Sequence, residues 1–247
     1  MIKGIQKTTL VDYPGKVACS LFTGGCNFRC GFCHNSDLVL KSAELPDIAE
    51  SEIFDWLNEK RKYLDGVCIT GGEPTLHKEL PDLMRKIKQL GFLVKLDTNG
   101  TNPVMLKYLI DNSLVDYIAM DIKSSFENYP KTINAVVDIQ KIKESIEILK
   151  SSNSFMSPEF SDSSKFSSFE YEFRTTVVPG IIDEDEILKI GKIISGAKRF
   201  CIQQFVPSEN IVDEKLRDGE ETSPEDLEKF RNLVLDCAEK VEIRNVS

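Results

Sequence analysis

Short apolar segments rich in β-branched residues alternate with amphipathic helical patterns along most of the chain. This alternation is typical of βα units, in which helical crossovers join parallel strands. The six predicted strands are Val17–Thr23, Gly66–Thr70, Leu93–Thr98, Asp116–Asp121, Tyr171–Val178 and Arg199–Phe205. They are too few for a full barrel of eight units. We expect an α/β fold, a partial (β/α)6 barrel with parallel strands, and keep a doubly wound sheet as the alternative.

The segments between these strands carry apolar residues at helical spacing, and some begin with a helix-start signal. Pro103 can start one helix, and Ser223-Pro224 opens the last one with a capping pattern. Residues 151–169 depart from this rhythm, because serine dominates them and no apolar face repeats. We therefore expect one domain over residues 1–247, with a flexible serine-rich loop at 151–169.

The charge and the cysteine content limit the function classes. The chain has 247 residues and a formal net charge of −9, so phosphates of nucleic acids or anionic membranes would be repelled. We see neither a signal peptide at the start nor an apolar stretch long enough to span a bilayer. We expect a cytoplasmic protein without a membrane or nucleic-acid partner. In that reducing compartment, clustered cysteines are metal ligands more often than disulfides.

Glycine-rich and polar segments follow the predicted strands at the points where the strands end. A cysteine-rich segment follows the first strand and GGEP the second, while DTNG closes the third and MDIK closes the fourth. The carboxyl ends of parallel strands meet at one edge of a sheet or barrel, where α/β enzymes place their sites. The sequence therefore predicts a functional site at this edge.

The cysteine-rich segment has the spacing CxxxCxxC, formed by Cys26, Cys30 and Cys33. Three thiolates in one loop can bind three irons of a four-iron cluster and leave the fourth iron open for catalysis. The alternative is a zinc knuckle in which His34 or a distant cysteine is the fourth ligand. The remaining cysteines lie within strand or helix patterns and are expected to be core residues, namely Cys19, Cys68, Cys201 and Cys237.

The other strand-end residues have a structural interpretation beside the functional one. Gly71-Gly72 could bring bare backbone close to a ligand, or could be a plain turn followed by a solvated Glu73. Lys123 could bind the carboxylate or the ribose of a cofactor, or could form a structural pair with an aspartate. Arg174 could reach the same cavity, or could form a surface ion pair of little energetic value.

The cysteine motif with the aromatic Phe32 before its last cysteine resembles the radical S-adenosylmethionine (radical SAM) superfamily. The segment TLVDYPGKVACSLFTGGCNFRCGFCHN, residues Thr9–Asn35, resembles the glycyl-radical activating enzymes, and is most similar to anaerobic ribonucleoside-triphosphate reductase activating proteins. GGEPTL, LDTNG, MDIK and VVPG follow in the order that this family shows.

The resemblance implies one [4Fe-4S] cluster on Cys26, Cys30 and Cys33, together with S-adenosylmethionine. It implies that the GGEP segment binds the methionine amino group, and that Asp97, Thr98 and Asp121 help to hold a monovalent cation. The implied cofactor-binding residues are Phe32, His34, Gly71, Gly72, Glu73, Asp97, Thr98, Asp121, Lys123, Arg174 and Gln203. One departure is Cys201–Asn210, which lacks the histidine that related activases carry there; Gln203 or Gln204 is the expected replacement.

The resemblance implies reductive cleavage of S-adenosylmethionine and formation of a glycyl radical on a partner, with anaerobic ribonucleotide reductase as the expected partner. It also implies an electron donor such as flavodoxin or ferredoxin. Two alternatives stay open. The chain could be a radical SAM enzyme acting on a small molecule or a peptide, or a zinc-stabilised binding module without catalysis.

Overall fold

The computed structural model describes residues 1–151 and 169–244. The strands are β1 Ile2–Thr9, β2 Ala18–Thr23, β3 Gly66–Gly71, β4 Leu93–Thr98, β5 Tyr117–Asp121, β6 Glu170–Val177, β7 Ala197–Gln204 and β8 Ala238–Arg244. The helices are α1 Ser36–Leu40, α2 Glu50–Lys60, α3 Leu80–Gln89, α4 Pro103–Asp111, α5 Tyr129–Ile133, α6 Ile139–Ser151, α7 Glu184–Ile193 and α8 Pro224–Leu233. Short 3-10 turns lie at Pro74–Leu76, Glu214–Leu216 and Leu235–Cys237.

The strands form an eight-stranded sheet in strict chain order, from β1 at one end to β8 at the other. Strands β2 to β8 are parallel to one another, and β1 pairs with β2 antiparallel. The predicted α/β fold and its parallel sheet are confirmed. A doubly wound sheet is excluded, because its strand order reverses part-way across the sheet, whereas this order never does.

The six predicted strands correspond to β2–β7, and two further strands at the ends of the sheet were not predicted. Strand β1, with the sequence IKGIQKTT, is mostly half-exposed or exposed. Because it is an edge strand with few apolar residues, it carries little of the pattern by which buried strands are recognised. Strand β8 forms the opposite end of the sheet and pairs with β7.

One face of the sheet packs against the helices and forms the main apolar core. On β4, Val94 and Leu96 are fully buried in this core. Helix α3 contributes a stripe of four residues that are at most 2% exposed, namely Leu80, Leu83, Met84 and Ile87. Each such side chain stabilises the fold by about 1.5–3 kcal/mol through burial.

The other face of the strands carries buried polar side chains. Glu172 on β6 is fully buried, accepting hydrogen bonds from the Tyr117 hydroxyl at 2.6 Å and from Arg244 at 2.8 Å. Buried charges are costly unless they are paired, and here the partners come from strands β5 and β8. On this face of the sheet, hydrogen bonds and ion pairs between side chains of different strands therefore stabilise the fold.

Of the serine-rich loop expected at 151–169, residues 152–168 lie outside the described part of the chain, and Ser151 is the last residue of α6. Cys19, Cys68, Cys201 and Cys237 are all buried, as expected of core residues. Within residues 1–151 and 169–244, no helix is both long and apolar enough to cross a membrane.

Candidate active site

A cavity opens at the carboxyl ends of the strands. It is lined by every residue that the sequence analysis assigned to the site, namely Cys26, Cys30, Phe32, Cys33, His34, Gly71, Gly72, Glu73, Asp97, Thr98, Asp121, Lys123, Arg174 and Gln203. The sequence analysis missed six further lining residues, namely Phe28, Asn35, Val39, Thr70, Asn99 and Thr176. The predicted convergence of four strand-end segments on one site is thus what the geometry shows, and Arg174 on β6 and Gln203 on β7 join them.

The loop after β2 carries the three cysteines into this cavity as free thiols. Cys30 is buried, while Cys26 and Cys33 are half-buried. Burial raises the pKa of Cys26 to about 11 and that of Cys30 to about 12. Both thiols are therefore protonated at neutral pH in the metal-free protein, and metal binding has to displace those protons.

The cysteine loop is shaped by Arg29, which lies between the first two cysteines. Its guanidinium donates to the carbonyl oxygens of Cys26 at 2.6 Å and Phe28 at 2.7 Å. Its backbone N–H donates to the carbonyl of Ile133, at the end of α5, at 2.8 Å. These contacts fix the turn that separates Cys26 from Cys30.

A second brace comes from the segment after β7. The backbone N–H of Val212 donates to the Cys33 carbonyl at 3.2 Å, and that of Asp213 donates to the Gly31 carbonyl at 2.8 Å. This bracing was not predicted, because backbone hydrogen bonds between loops far apart in sequence leave no residue pattern.

The two glycines at the end of β3, Gly71 and Gly72, allow that strand end to lie directly against the cysteine loop. Gly71 has a φ of +105°, and a Cβ there would lie 2.6 Å from the backbone nitrogen of Thr23. A Cβ on Gly72 would lie 2.0 Å from the Gly25 carbonyl oxygen. The same carbonyl accepts the backbone N–H of Glu73 at 2.8 Å. Any larger residue would separate the two loops.

Glu73 is not a solvated carboxylate; it is 1% exposed and joins two strand ends. Its Oε1 accepts from Thr75 N at 3.0 Å, from the Thr75 hydroxyl at 2.5 Å and from the Thr98 hydroxyl at 2.8 Å. Its Oε2 accepts from the backbone N–H of Asn99 at 2.6 Å. Burial raises the pKa of Glu73, and these donors oppose the rise. The carboxylate thus ties GGEP to DTNG.

Asp97 and Asp121 lie in a cluster with three cationic side chains. Asp97 bonds to Lys95 and faces Arg174 at 3.4 Å. Asp121 contacts Arg174 Nε at 2.9 Å and Lys123 Nζ at 3.0 Å. The predicted aspartate–lysine pair is present, and Arg174, whose side chain is 13% exposed, is not part of a surface ion pair.

The cations of this cluster keep its carboxylates ionised. Burial disfavours a charged Asp121, but Arg174 and Lys123 outweigh it and lower the pKa of Asp121 to about 2. Burial opposes the charge of Asp97 as well, and Arg174 and Lys95 lower its pKa. Lys95 was missed because it lies inside a strand interpreted as apolar, although its position two residues before Asp97 puts both on one face.

The two glutamines at the end of β7 point in different directions. Gln203 lines the cavity. Gln204 is 5% exposed, and its Nε2 donates to the Thr222 carbonyl at 2.8 Å. Of the two expected replacements, only Gln203 faces the site.

The comparison with known families decides the class of this site. The sequence profile described as the Radical SAM superfamily matches residues 20–189, well over half of the chain. The chain belongs to the radical SAM superfamily. Radical SAM enzymes use a [4Fe-4S] cluster with S-adenosylmethionine, so this chain is an enzyme of that chemistry.

Curated radical SAM relatives match along the whole chain. A putative glycyl-radical enzyme activating enzyme of Methanocaldococcus jannaschii is 31% identical over 252 residues, covering 100% of this chain and 97% of the relative. The pyruvate formate-lyase-activating enzyme of Clostridium pasteurianum is 25% identical over 258 residues, covering 96% of this chain and 98% of the relative.

Solved radical SAM structures share the fold. A domain of pyruvate-formate lyase-activating enzyme from Bacteroides vulgatus has a TM-score of 0.54 at 19% identity, covering 73% of this chain and 99% of that chain. Streptococcus suis SuiB bound to S-adenosylmethionine has a TM-score of 0.62 at 14% identity, covering 91% of this chain and 51% of that chain.

The sequence left open a zinc knuckle with His34 as the fourth ligand. His34 contacts the Val206 carbonyl through Nε2 at 2.7 Å. Cys26, Cys30 and Cys33 line one cavity. In a four-iron cluster each of three cysteines binds its own iron, so this donor set fits the cluster that the family uses. Membership of the radical SAM superfamily favours the cluster over a zinc module without catalysis.

Proposed function

We propose that this enzyme cleaves S-adenosylmethionine reductively and generates a glycyl radical on a partner protein. The observation that carries this proposal is the whole-length similarity to a relative named as a glycyl-radical enzyme activating enzyme, which covers 100% of this chain and 97% of the relative. The second relative, a pyruvate formate-lyase-activating enzyme, also matches almost from end to end.

Cys26, Cys30 and Cys33 are the proposed cluster ligands, and the fourth iron is left for the cofactor. When bound, the cluster supplies the electron that breaks the C5′–S bond of S-adenosylmethionine, giving methionine and a 5′-deoxyadenosyl radical. The chain's own contribution is to hold the cofactor against the cysteine loop and to keep water from the reacting atoms.

We propose that different strand ends contact different groups of the cofactor. The backbone around Gly71 and Gly72 is the proposed contact for the methionine amino group. Lys123 is the proposed contact for the cofactor carboxylate, since its ammonium lies 5.8 Å from the ring centroid of Phe32, in the cysteine loop. Its bond to Asp121 at 3.0 Å restricts the lysine to this side of the cavity. Gln203 is the proposed contact for the ribose, in place of a histidine.

The proposed partner is an anaerobic ribonucleotide reductase, and the proposed electron donor is a flavodoxin or a ferredoxin. The similarity of Thr9–Asn35 to the activating proteins of that reductase supports the first choice. A glycine loop has to leave its home fold to enter the cavity, so the complex should be transient and only moderately tight. The net charge of −9 favours a basic docking patch on the partner.

The test mixes the reduced, cluster-loaded enzyme with S-adenosylmethionine and the candidate reductase without oxygen. Paramagnetic resonance is expected to show a glycyl doublet on the reductase, absent when its glycine is replaced by alanine. If the cofactor is consumed without a protein radical on any glycyl-radical enzyme of the same cell, the activase proposal fails. The proposal would then be that this radical SAM enzyme acts on a small molecule or a peptide.

A further inference from the structure

The resemblance to activating enzymes implies a monovalent cation held by Asp97, Thr98 and Asp121, but the side chains at these positions do not fit one. A bound cation needs oxygen ligands that point toward a common centre. The Thr98 hydroxyl donates to Glu73 at 2.8 Å and accepts the backbone N–H of Gly100 at 3.1 Å. It therefore belongs to the hydrogen bonds that join the GGEP and DTNG loops and is not directed toward a cation.

The oxygens of both aspartates already face cationic nitrogens of the protein itself. Asp97 Oδ1 bonds to Lys95, and its Oδ2 faces Arg174 Nη1 at 3.4 Å. Asp121 Oδ1 faces Arg174 Nε at 2.9 Å, and its Oδ2 faces Lys123 Nζ at 3.0 Å. Three positive groups against two carboxylates leave one net positive charge, and an added cation would be repelled by all three.

We propose that the Lys95 ammonium, acting through Asp97, takes the place of a monovalent cation, so that this enzyme binds S-adenosylmethionine without sodium or potassium. Lys95 is a positioning residue: it holds Asp97, which in turn orients Arg174 at the cavity wall. The inference rests on the proposed cofactor site.

Burial beside Asp97 keeps the Lys95 ammonium in place and charged. Its side chain is 1% exposed, and its Nζ lies 3.7 Å from Cys68 Sγ and 5.9 Å from the ring centroid of Tyr117. Burial alone would lower the pKa of Lys95, but Asp97 outweighs it and raises the pKa. The ammonium therefore stays charged and cannot exchange with solvent ions as a free cation does.

A positive cluster at this wall also suits the ligand. S-adenosylmethionine brings an anionic carboxylate, and Lys123 and Arg174 both line the cavity. Because Lys95 neutralises Asp97, fewer negative charges compete for Arg174. The cavity wall therefore keeps an excess of positive charge, which attracts the carboxylate of S-adenosylmethionine.

The test measures cofactor affinity calorimetrically on anaerobic, cluster-loaded protein without reductant, so that no cofactor is cleaved. Potassium, sodium, ammonium and choline chloride are compared at one ionic strength. The wild-type affinity is expected to vary by less than about twofold among these salts. In choline, Lys95→Met is expected to bind S-adenosylmethionine at least about tenfold more weakly, as for loss of a charge-assisted contact. Ammonium, and to a lesser degree potassium, should restore binding by occupying the vacated place beside Asp97.

The matched control is Lys88→Met. It removes a lysine from another pair of the same fold, Lys88–Asp116, whose nitrogen and oxygen lie 2.5 Å apart outside the cavity. It should leave both the affinity and its indifference to salt unchanged.

Two results would overturn the proposal. One is wild-type protein whose affinity rises tenfold in potassium or sodium over choline, which needs no variant and so does not depend on Lys95→Met folding. The other is a Lys95→Met protein that binds weakly in every salt, which would make Lys95 merely structural. Neither result bears on glycyl-radical formation, so a failure here is distinct from a failure of the activase proposal.

Discussion

Replacing Glu73 by glutamine changes one atom of a buried side chain and should destabilise the enzyme strongly. Both carboxylate oxygens accept from a backbone N–H, Oε1 from Thr75 at 3.0 Å and Oε2 from Asn99 at 2.6 Å. A glutamine has only one oxygen. Whichever way its amide is turned, an NH₂ group faces a backbone donor that has no other acceptor in this network.

The magnitude follows from that mismatch. Hydrogen bonds to a charged group are each worth about 1.5–3 kcal/mol, and a buried unsatisfied polar group costs about 1–3 kcal/mol. The threonine hydroxyls can rotate to adapt, but the backbone cannot. We therefore expect Glu73→Gln to lower the free energy of unfolding by about 3 kcal/mol. For a chain of this size that is a fall in Tm of about 6–12 °C.

The assay is thermal unfolding of anaerobically purified protein with matched iron content, followed by circular dichroism. The control is Glu79→Gln, because Glu79 is exposed and its side chain does not cap α3. It should shift Tm by less than about 2 °C, as surface substitutions stay within about 0.5 kcal/mol. A Glu73→Gln protein as stable as this control would refute the reasoning, since it would mean that Glu73 is already protonated in the native state.

Three further predictions concern the site. Cys30→Ala should lose most of its iron and all cofactor cleavage, measured by iron analysis and 5′-deoxyadenosine release. Cys19→Ala, in the apolar core, should cost only about 1 kcal/mol of packing. Normal cleavage in Cys30→Ala would contradict the ligand assignment. Lys123→Ala should bind S-adenosylmethionine about tenfold more weakly by calorimetry, and an unchanged affinity would reduce Lys123 to a structural role. Because Arg174 and Lys123 outweigh burial and lower the pKa of Asp121 from 3.8 to about 2, its stabilisation is present above pH 3.8 and is lost as pH falls toward 2. The stability difference between wild type and Asp121→Asn should therefore narrow over that range in urea titrations, and a constant difference would argue against the shift.

The sequence was sufficient for the parallel strands and for the position of the site. Strands β2–β7 are buried between other strands, so their apolar runs are clear, and the cysteine, GGEP, DTNG and MDIK segments all follow a strand end. Because parallel strands end at one edge, these segments had to converge there.

Features that depend on contacts between residues far apart in sequence could not be predicted from the sequence. Lys95 lies within an apolar-looking strand, and its burial depends on pairing with Asp97, which also faces Arg174 from a strand far along the chain. The role of Glu73 likewise depends on donors from another loop, so the sequence left a solvated carboxylate open. A buried charge has no signature of its own in a single sequence; only its partner explains it.

Glycyl-radical formation on the reductase can be followed through the origin of the hydrogen atom that 5′-deoxyadenosine gains. The candidate reductase is labelled with glycine carrying deuterium at both α positions and is mixed anaerobically with reduced enzyme and S-adenosylmethionine. We expect the 5′-deoxyadenosine released to gain one deuterium by mass spectrometry, in step with the glycyl signal, and to gain none from a reductase whose radical-site glycine is replaced by alanine. Unlabelled 5′-deoxyadenosine formed at full rate with the labelled reductase would contradict it, since the hydrogen would then come from another substrate.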